Sequence, residues 1–248
     1  MSPVTIVTGG SRGIGAAAVR RLAADGHAVC LSFREDSDAA EKVVREVVDA
    51  GGRCVAVRAD VSREDDIEVL FRTAREELGQ ITGLVANAGV TSPMMPLADQ
   101  PVSQLRYVIE VNVLGALLSA RRAVQSMSTA RGGSGGSIVF ISSSATTHGG
   151  PGEYVHYAAS KGAVDVLTVG LAKEVAKEGI RVNTVAPGMV DTEIHTVSGD
   201  PERAWKAAGR IPLGRPGDPA EIANAVSWLL SPESSYATGA ILRVAGGL

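Results

Sequence analysis

The residues best placed to do chemistry together are Tyr157 and Lys161, in the run Tyr157-Ala158-Ala159-Ser160-Lys161. Side chains at i and i+4 share a helix face, so this spacing brings an ammonium close to a phenol. A free tyrosine has a pKa of about 10, too high for proton transfer near neutrality, and a neighbouring cation lowers it. The pair therefore suits a general acid/base. Taken alone, such spacing is also common on solvated helix faces. A second chemical feature is the turn Thr8-Gly9-Gly10-Ser11-Arg12-Gly13-Ile14-Gly15. Glycines let a backbone turn tightly and approach a pyrophosphate, and a following helix N-terminus offers it unpaired N–H groups. The spacing Gly9-x3-Gly13-x-Gly15 departs from the common G-x-G-x-x-G, and an ordinary β-α turn is the alternative.

These residues must be positioned by the surrounding elements. Apolar, β-branched runs at 4–8, 28–33, 54–58, 83–86, 137–142, 180–185 and 240–244 read as strands. Helical patterns lie between them at 14–25, 38–50, 63–78, 104–130, 154–178 and 220–230, the fourth interrupted by Gly115. Strands apolar on both faces and separated by helices imply parallel pairing through right-handed crossovers. The expected fold class is α/β, a doubly wound, parallel, seven-stranded sheet with helices on both faces. Residues 1–248 form a single domain in this reading, and the glycine-rich segment 131–136 is a flexible surface turn.

Composition narrows the function classes. Of 248 residues, 45% are apolar and 29 are glycine, enough for a large aliphatic core with many tight turns. The net charge of −3 gives no attraction to nucleic acid. No apolar run is long enough to span a membrane, and the start Met1-Ser2-Pro3-Val4 lacks a basic leader pattern. A cytoplasmic location is expected. Cys30 and Cys54 lie in strand-like runs as buried thiols, and no cluster suggests a metal site.

In order along the chain, the glycine turn, Asp60-Val61, Asn87-Ala88-Gly89, Asn112-Val113-x-Gly115, Ile141-Ser142-Ser143, Tyr157-x3-Lys161, Pro187-Gly188, Thr238-Gly239 and Gly246-Gly247 resemble the short-chain dehydrogenase/reductase family in its compact form. The resemblance covers nearly the whole chain and implies a Rossmann-like fold. It implies hydride transfer between a nicotinamide cofactor and a small-molecule carbonyl or secondary alcohol. Tyr157 would be the general acid in reduction and the base in oxidation. Lys161 would lower its pKa and bond the nicotinamide ribose, a serine would polarise the substrate oxygen, and Asn112 would hold a water leading to solvent. The cofactor would lie on Gly9, Ser11, Arg12, Gly13, Ile14 and Gly15, with Asp60 and Val61 at the adenine and Asn87, Ala88 and Gly89 beneath it. Pro187, Gly188, Val190 and Thr192 would flank the nicotinamide beside Tyr157 and Lys161.

Which serine acts is open. Counting back from Tyr157 reaches Ser144, and counting forward along the strand reaches Ser143. Loops absorb insertions more readily than strand ends do, which favours Ser143. Tyr154 has no lysine four residues after it and is set aside, while His156 is placed on the helix rim. Arg34 at the end of the second strand, with Arg12, suits a ribose 2′-phosphate, so NADP(H) is favoured. Glu35 and Asp36 follow at once and leave NAD(H) open. The segment from Met189 to Gly217 would be a substrate lid, with Trp205 open to the cleft, His148 and His195 as solvated loop histidines in preference to substrate contacts, and Phe33 and Trp228 as packing residues. The family's habit implies a homotetramer, and Ala245 stands where many relatives have aspartate. A sugar-nucleotide epimerase or dehydratase, and a dinucleotide-sensing protein without turnover, are the competing readings.

Overall fold

The computed structural model describes residues 2–248, apart from the side chains of His195 and Val197. The sheet has seven parallel strands: β1 Val4–Val7, β2 Ala28–Phe33, β3 Arg53–Arg58, β4 Ile81–Ala86, β5 Gly136–Ile141, β6 Ile180–Pro187 and β7 Ile241–Val244. Their order is β3-β2-β1-β4-β5-β6-β7. The chain winds outward from β1 through β2 and β3, then returns to β4 on the other side. That reversal opens a crevice at the carboxyl ends of β1 and β4, where open α/β sheets bind ligands.

The period-2 alternation of strand side chains fills two cores. Val4 and Ile6 of β1 face one layer with Cys30, whereas Val7 faces the other with Leu31 and Cys54. Helices α1 Gly13–Ala24, α2 Ser37–Asp49 and α10 Pro219–Leu230 cover the second face. Helices α3 Glu64–Leu78, α5 Gly115–Met127 and α7 Val155–Val175 cover the first. Cys30 and Cys54 are buried free thiols on opposite faces of the sheet, as the strand reading implies.

Local signals set the helix starts. Asp36 caps α2 by accepting from Ala39 N at 3.0 Å, and Glu64, Asp65 and Asp66 fill the first turn of α3. A capping box joins Asp218 and Glu221 ahead of Pro219 at α10. Arg12, the N-cap residue of α1, makes no side-chain capping bond and leaves the first turn of that helix uncapped.

The structure corrects the sequence reading in several places. Gly115 does not break the fourth helical stretch. Helix α4 Val102–Ile109 passes through a π-helical turn, Glu110–Leu114, directly into α5. A Cβ on Gly115 would lie 2.6 Å from Val61 Cγ2, so close packing is what requires glycine there. The segment 131–136 is an anchored turn rather than a flexible one, with Gly133 N bonded to Ser128 O and Gly135 N to Met127 O. The lid carries two short helices, α8 Ile194–Val197 and α9 Arg203–Lys206, and α6 Ala145–His148 precedes α7. Phe33 packs against the core, but Trp228 is largely exposed. Among the described residues no helix is long and apolar enough to cross a membrane.

Candidate active site

Tyr157 and Lys161 lie on the first turns of α7, which crosses the carboxyl end of β5. The Ser143 hydroxyl, just beyond that strand, interacts with the Tyr157 phenol and favours its ionised form. Of the three adjacent serines it is the one so placed. Ser142 is buried with its Oγ donating to Lys161 O at 3.3 Å, and Ser144 N donates to Pro187 O at 2.7 Å.

Lys161 is only 4% exposed. Its Nζ donates to Ile141 O at 2.8 Å and lies 5.8 Å from the Tyr157 ring centroid. Burial lowers the Lys161 ammonium to about 8, opposed by the carboxylate of Asp165. Burial pushes the Tyr157 phenol up to about 12. The Ser143 hydroxyl favours ionisation of Tyr157 against the effect of burial.

Asn112 sits in the π-helical turn, which carries its amide inward. Its Oδ1 accepts from Val90 N at 2.8 Å, while Nδ2 donates to Val90 O at 2.9 Å and Ser160 Oγ at 3.0 Å. The side chain thus locks the loop after β4 to α7. A Cβ on Gly89 would come within 3.1 Å of Lys161 Nζ and 3.4 Å of Asn112 Oδ1, which gathers these three residues at one point. Asn87 works similarly one step earlier. Its Nδ2 donates to Thr8 O and Gly9 O, and Thr8 Oγ1 accepts from both Asn87 N and Ala88 N.

Those bonds hold the glycine turn in a shape that suits a dinucleotide. Gly9 has φ +64 and Gly13 φ +52, values that L side chains rarely adopt. A Cβ on Gly15 would lie 2.2 Å from Gly9 O and 2.6 Å from Asn87 Nδ2. Arg12 is extended at the N-cap of α1, and the first turn has neither a capping side chain nor an acidic residue. Its N–H groups and partial positive charge face the turn, as a phosphate site needs, and the carboxylate that comes near is that of Glu193, whose Oε2 would lie 3.5 Å from a Cβ on Gly13. Ser11 and Ile14 are half-buried beside it.

Beyond β3, Asp60 Oδ1 accepts from Ser62 N at 3.0 Å and Ser62 Oγ at 2.7 Å, shaping the turn, while Val61 is buried. Arg34 donates to Glu35 Oε1 at 2.5 Å and to Tyr107 Oη, with its Cζ 5.4 Å from the Tyr107 ring centroid. Glu35 therefore offsets part of its charge. Arg12 is exposed, and its side chain makes no capping bond at α1. The sequence reading missed Arg58, whose Nε donates to Arg34 O at 3.0 Å. Its neighbour across the sheet, Phe33, is the signal that could have found it.

At the other end of the crevice, Pro187 ends β6 and Gly188 N donates to Val244 O at 3.0 Å. A Cβ on Gly188 would lie 2.7 Å from Ala245 Cα, so the last strand closes tightly on this position. Thr192 lies against Gly13, whose Cβ would meet Thr192 Cγ2 at 3.3 Å. The Val190 side chain is buried in the core with residues of α10. His156 is a correction, because it is 7% exposed rather than on the rim, with Nε2 2.9 Å from Ser92 Oγ. Trp205 is exposed and donates to Asp191 Oδ2 at 2.9 Å, tying α9 to the lid's start. His148 Nδ1 accepts from Gly150 N, and the His195 side chain lies outside the described residues. Among the described residues no cluster of His, Cys, Asp or Glu is placed to hold a metal.

Comparison with known proteins agrees with this geometry. A family model described as Enoyl-(Acyl carrier protein) reductase matches residues 9–248. The chain is 42% identical over 244 residues to an uncharacterized oxidoreductase, YgfF, of Escherichia coli, covering 98% of this chain and 99% of that one. It is 42% identical over 246 residues to cis-4-hydroxycyclohexanecarboxylate dehydrogenase of Sinomonas cyclohexanicum, covering 98% and 95%. A dehydrogenase/reductase from Sinorhizobium meliloti superposes with TM-score 0.91 at 36% identity, covering 100% of this chain and 95% of that one. A blue fluorescent protein from a metagenomic library, complexed with NADPH, gives 0.89 at 33% identity, covering 99% and 97%. The 3-ketoacyl-(acyl-carrier-protein) reductase of Brucella melitensis, complexed with NADH, gives 0.90 at 31% identity with the same coverage, 99% and 97%. With its seven-stranded doubly wound sheet and its Ser143, Tyr157 and Lys161 in one crevice, the chain is an oxidoreductase of the short-chain dehydrogenase/reductase family.

Proposed function

We propose that this protein transfers a hydride between NADP(H) or NAD(H) and a small-molecule carbonyl or secondary alcohol, with Tyr157 as general acid/base. The observation that carries this reading is the buried Lys161 ammonium 5.8 Å from the Tyr157 ring centroid, with Ser143 acting on the same phenol and an uncapped helix start after the glycine turn. The nicotinamide, when bound, supplies the hydride to the carbonyl carbon or accepts one from the alcohol carbon. Gly9, Ser11, Arg12, Gly13, Ile14 and Gly15 would hold its phosphates, with Asp60, Val61, Asn87, Ala88 and Gly89 along its adenosine half. Pro187, Gly188 and Thr192 would flank the nicotinamide, as would Val190 through its main chain. NADP(H) is favoured by Arg12 and Arg34, with Glu35 moderating the preference.

The chain's own residues do the proton work. A phenol held near 12 keeps its proton at neutral pH, so Tyr157 Oη is ready to donate to the developing alkoxide in reduction. Ser143 Oγ orients the same oxygen. In oxidation the proton returns to Tyr157, with Lys161 beneath the ring and Asn112 on the route toward solvent. Apolar residues exposed on and beside α5 and α7 (Leu114, Leu117, Val166, Val169) support a homotetramer. Cytoplasmic location and the absence of nucleic-acid or membrane partners complete the proposal.

Tyr157→Phe tests it. We expect turnover to fall by about 10²-fold or more with NADPH affinity, followed by fluorescence titration, nearly unchanged. A fully active variant would refute the mechanism.

A further inference from the structure

Beside the site lies a partly buried cation that the hydride-transfer machinery does not use. Arg203 on α9 is 15% exposed at its side chain, and its NH2 donates to Glu153 Oε2 at 2.5 Å and to Tyr154 Oη at 2.8 Å. Its Cζ lies 5.1 Å from the Tyr154 ring centroid, and that ring stands edge-on to Tyr157 with centroids 5.5 Å apart. The guanidinium is therefore one aromatic ring away from the phenol that would handle the proton. Three segments converge around it. Met95 N donates to Glu153 O at 3.0 Å, and Met94 N donates to Ser198 O at 3.4 Å.

We propose that Arg203 recognises the substrate, and that the ketones and alcohols taken by this site carry a carboxylate. The inference rests on the oxidoreductase reading and extends it to a substrate class. A guanidinium presents five N–H donors in a planar fork and readily serves two carboxylates. Here one amino group serves both Glu153 and Tyr154, whereas NH1 is turned to the thioether of Met94. A thioether is a weak acceptor, so a partly buried charged donor has one arm without an adequate partner. A substrate carboxylate on that arm would gain a charge-assisted hydrogen bond at a site largely screened from water. Glu153, 38% exposed at its side chain, is the partner nearer to solvent. Its charge moderates the attraction without occupying the arm that faces Met94.

The alternative is that the ion pair only latches the lid. The two accounts differ in sign. Arg203→Gln and Glu153→Gln break the same pair, so a latch predicts that both variants shift every substrate in the same direction. Anion recognition predicts opposite effects on acidic substrates, because one variant removes the attracting charge and the other a like charge.

The experiment is reduction of two matched pairs with NADPH and NADH: 4-oxocyclohexanecarboxylate against cyclohexanone, and 4-oxopentanoate against 2-pentanone. We expect the wild type to favour at least one acid over its neutral partner by about tenfold in kcat/KM. Arg203→Gln should raise KM for that acid by about tenfold with the neutral ketone little changed, Arg203→Lys should restore part of the loss, and Glu153→Gln should lower the same KM. Neutral ketones reduced as well as the acids, neither acid reduced, or both glutamine variants acting in parallel would overturn the assignment. Failure to bind either dinucleotide by fluorescence would instead overturn the reading on which it rests.

Discussion

At the scale of single residues, three consecutive serines illustrate what position decides. Ser142, Ser143 and Ser144 are the same in type, and counting from either end gives different answers. The strand pleat and the start of α6 send them three ways: Ser142 against the backbone of α7, Ser143 toward Tyr157, and Ser144 into the main-chain contact with Pro187. A hydroxyl that holds the reacting oxygen contributes about 10²–10³ in rate in comparable sites. Ser143→Ala should therefore lower kcat by about 10²-fold, whereas Ser144→Ala should stay within about threefold of wild type. Steady-state kinetics of the two variants decide it, and equal losses would contradict the geometry. His156 makes the same point: its sequence position allowed a rim histidine, and only the loop carrying Ser92 makes it buried.

At the scale of elements, a local rule fixes where some helices start. The Asp218-Pro219-x-Glu221 start of α10 is such a case: Asp218 Oδ1 accepts from Ala220 N at 2.7 Å and Glu221 Oε2 from Asp218 N at 2.8 Å. Asp218→Ala should cost about 1 kcal/mol, read as a lower urea midpoint with an unchanged m-value. No shift in the midpoint would mean that packing alone fixes α10. Its neighbour Arg215 bonds both Glu221 oxygens and holds that carboxyl down at about 2, so the cap stays charged through mild acid. The π-helical turn at Glu110–Leu114 and the short helices α6, α8 and α9 were not legible. One widened turn leaves the apolar periodicity of a long helix nearly intact, and four-residue helices are too short to have a period.

At the scale of the whole molecule, buried ionisable groups set the response to alkaline pH. Burial pushes Cys30 and Cys54 from an ordinary thiol value near 9 to about 12, and Tyr157 from near 10 to about 12. The folded state holds these protons after the unfolded chain has lost them, so their contribution to stability falls as pH rises from 9 toward 12. Lys161 acts oppositely. Its ammonium lies at about 8 when folded against an ordinary 10.5, so stability from this group rises between those values. Three groups outweigh one. Tm under reducing conditions should change little from pH 8 to 9 and then fall steadily to pH 11, with a shallower fall in a Cys30→Ala/Cys54→Ala variant. A Tm that climbs beyond pH 10 would contradict this balance.

The sequence alone determined the α/β class, the parallel sheet, the glycine turn and the Tyr157–Lys161 pair, because each follows from short-range spacing. Apolar period, turn chemistry and i, i+4 geometry are local properties of the chain. Tertiary structure alone decided which serine meets Tyr157, that Asn112 and Asn87 act as buried ties, that Arg34 shares its charge with Glu35, and that Arg203 reaches Tyr154. These contacts join residues far apart in sequence. Whether a hydroxyl, amide or guanidinium finds its partner there depends on how the loops at the carboxyl edge of the sheet pack, and no local pattern records that packing.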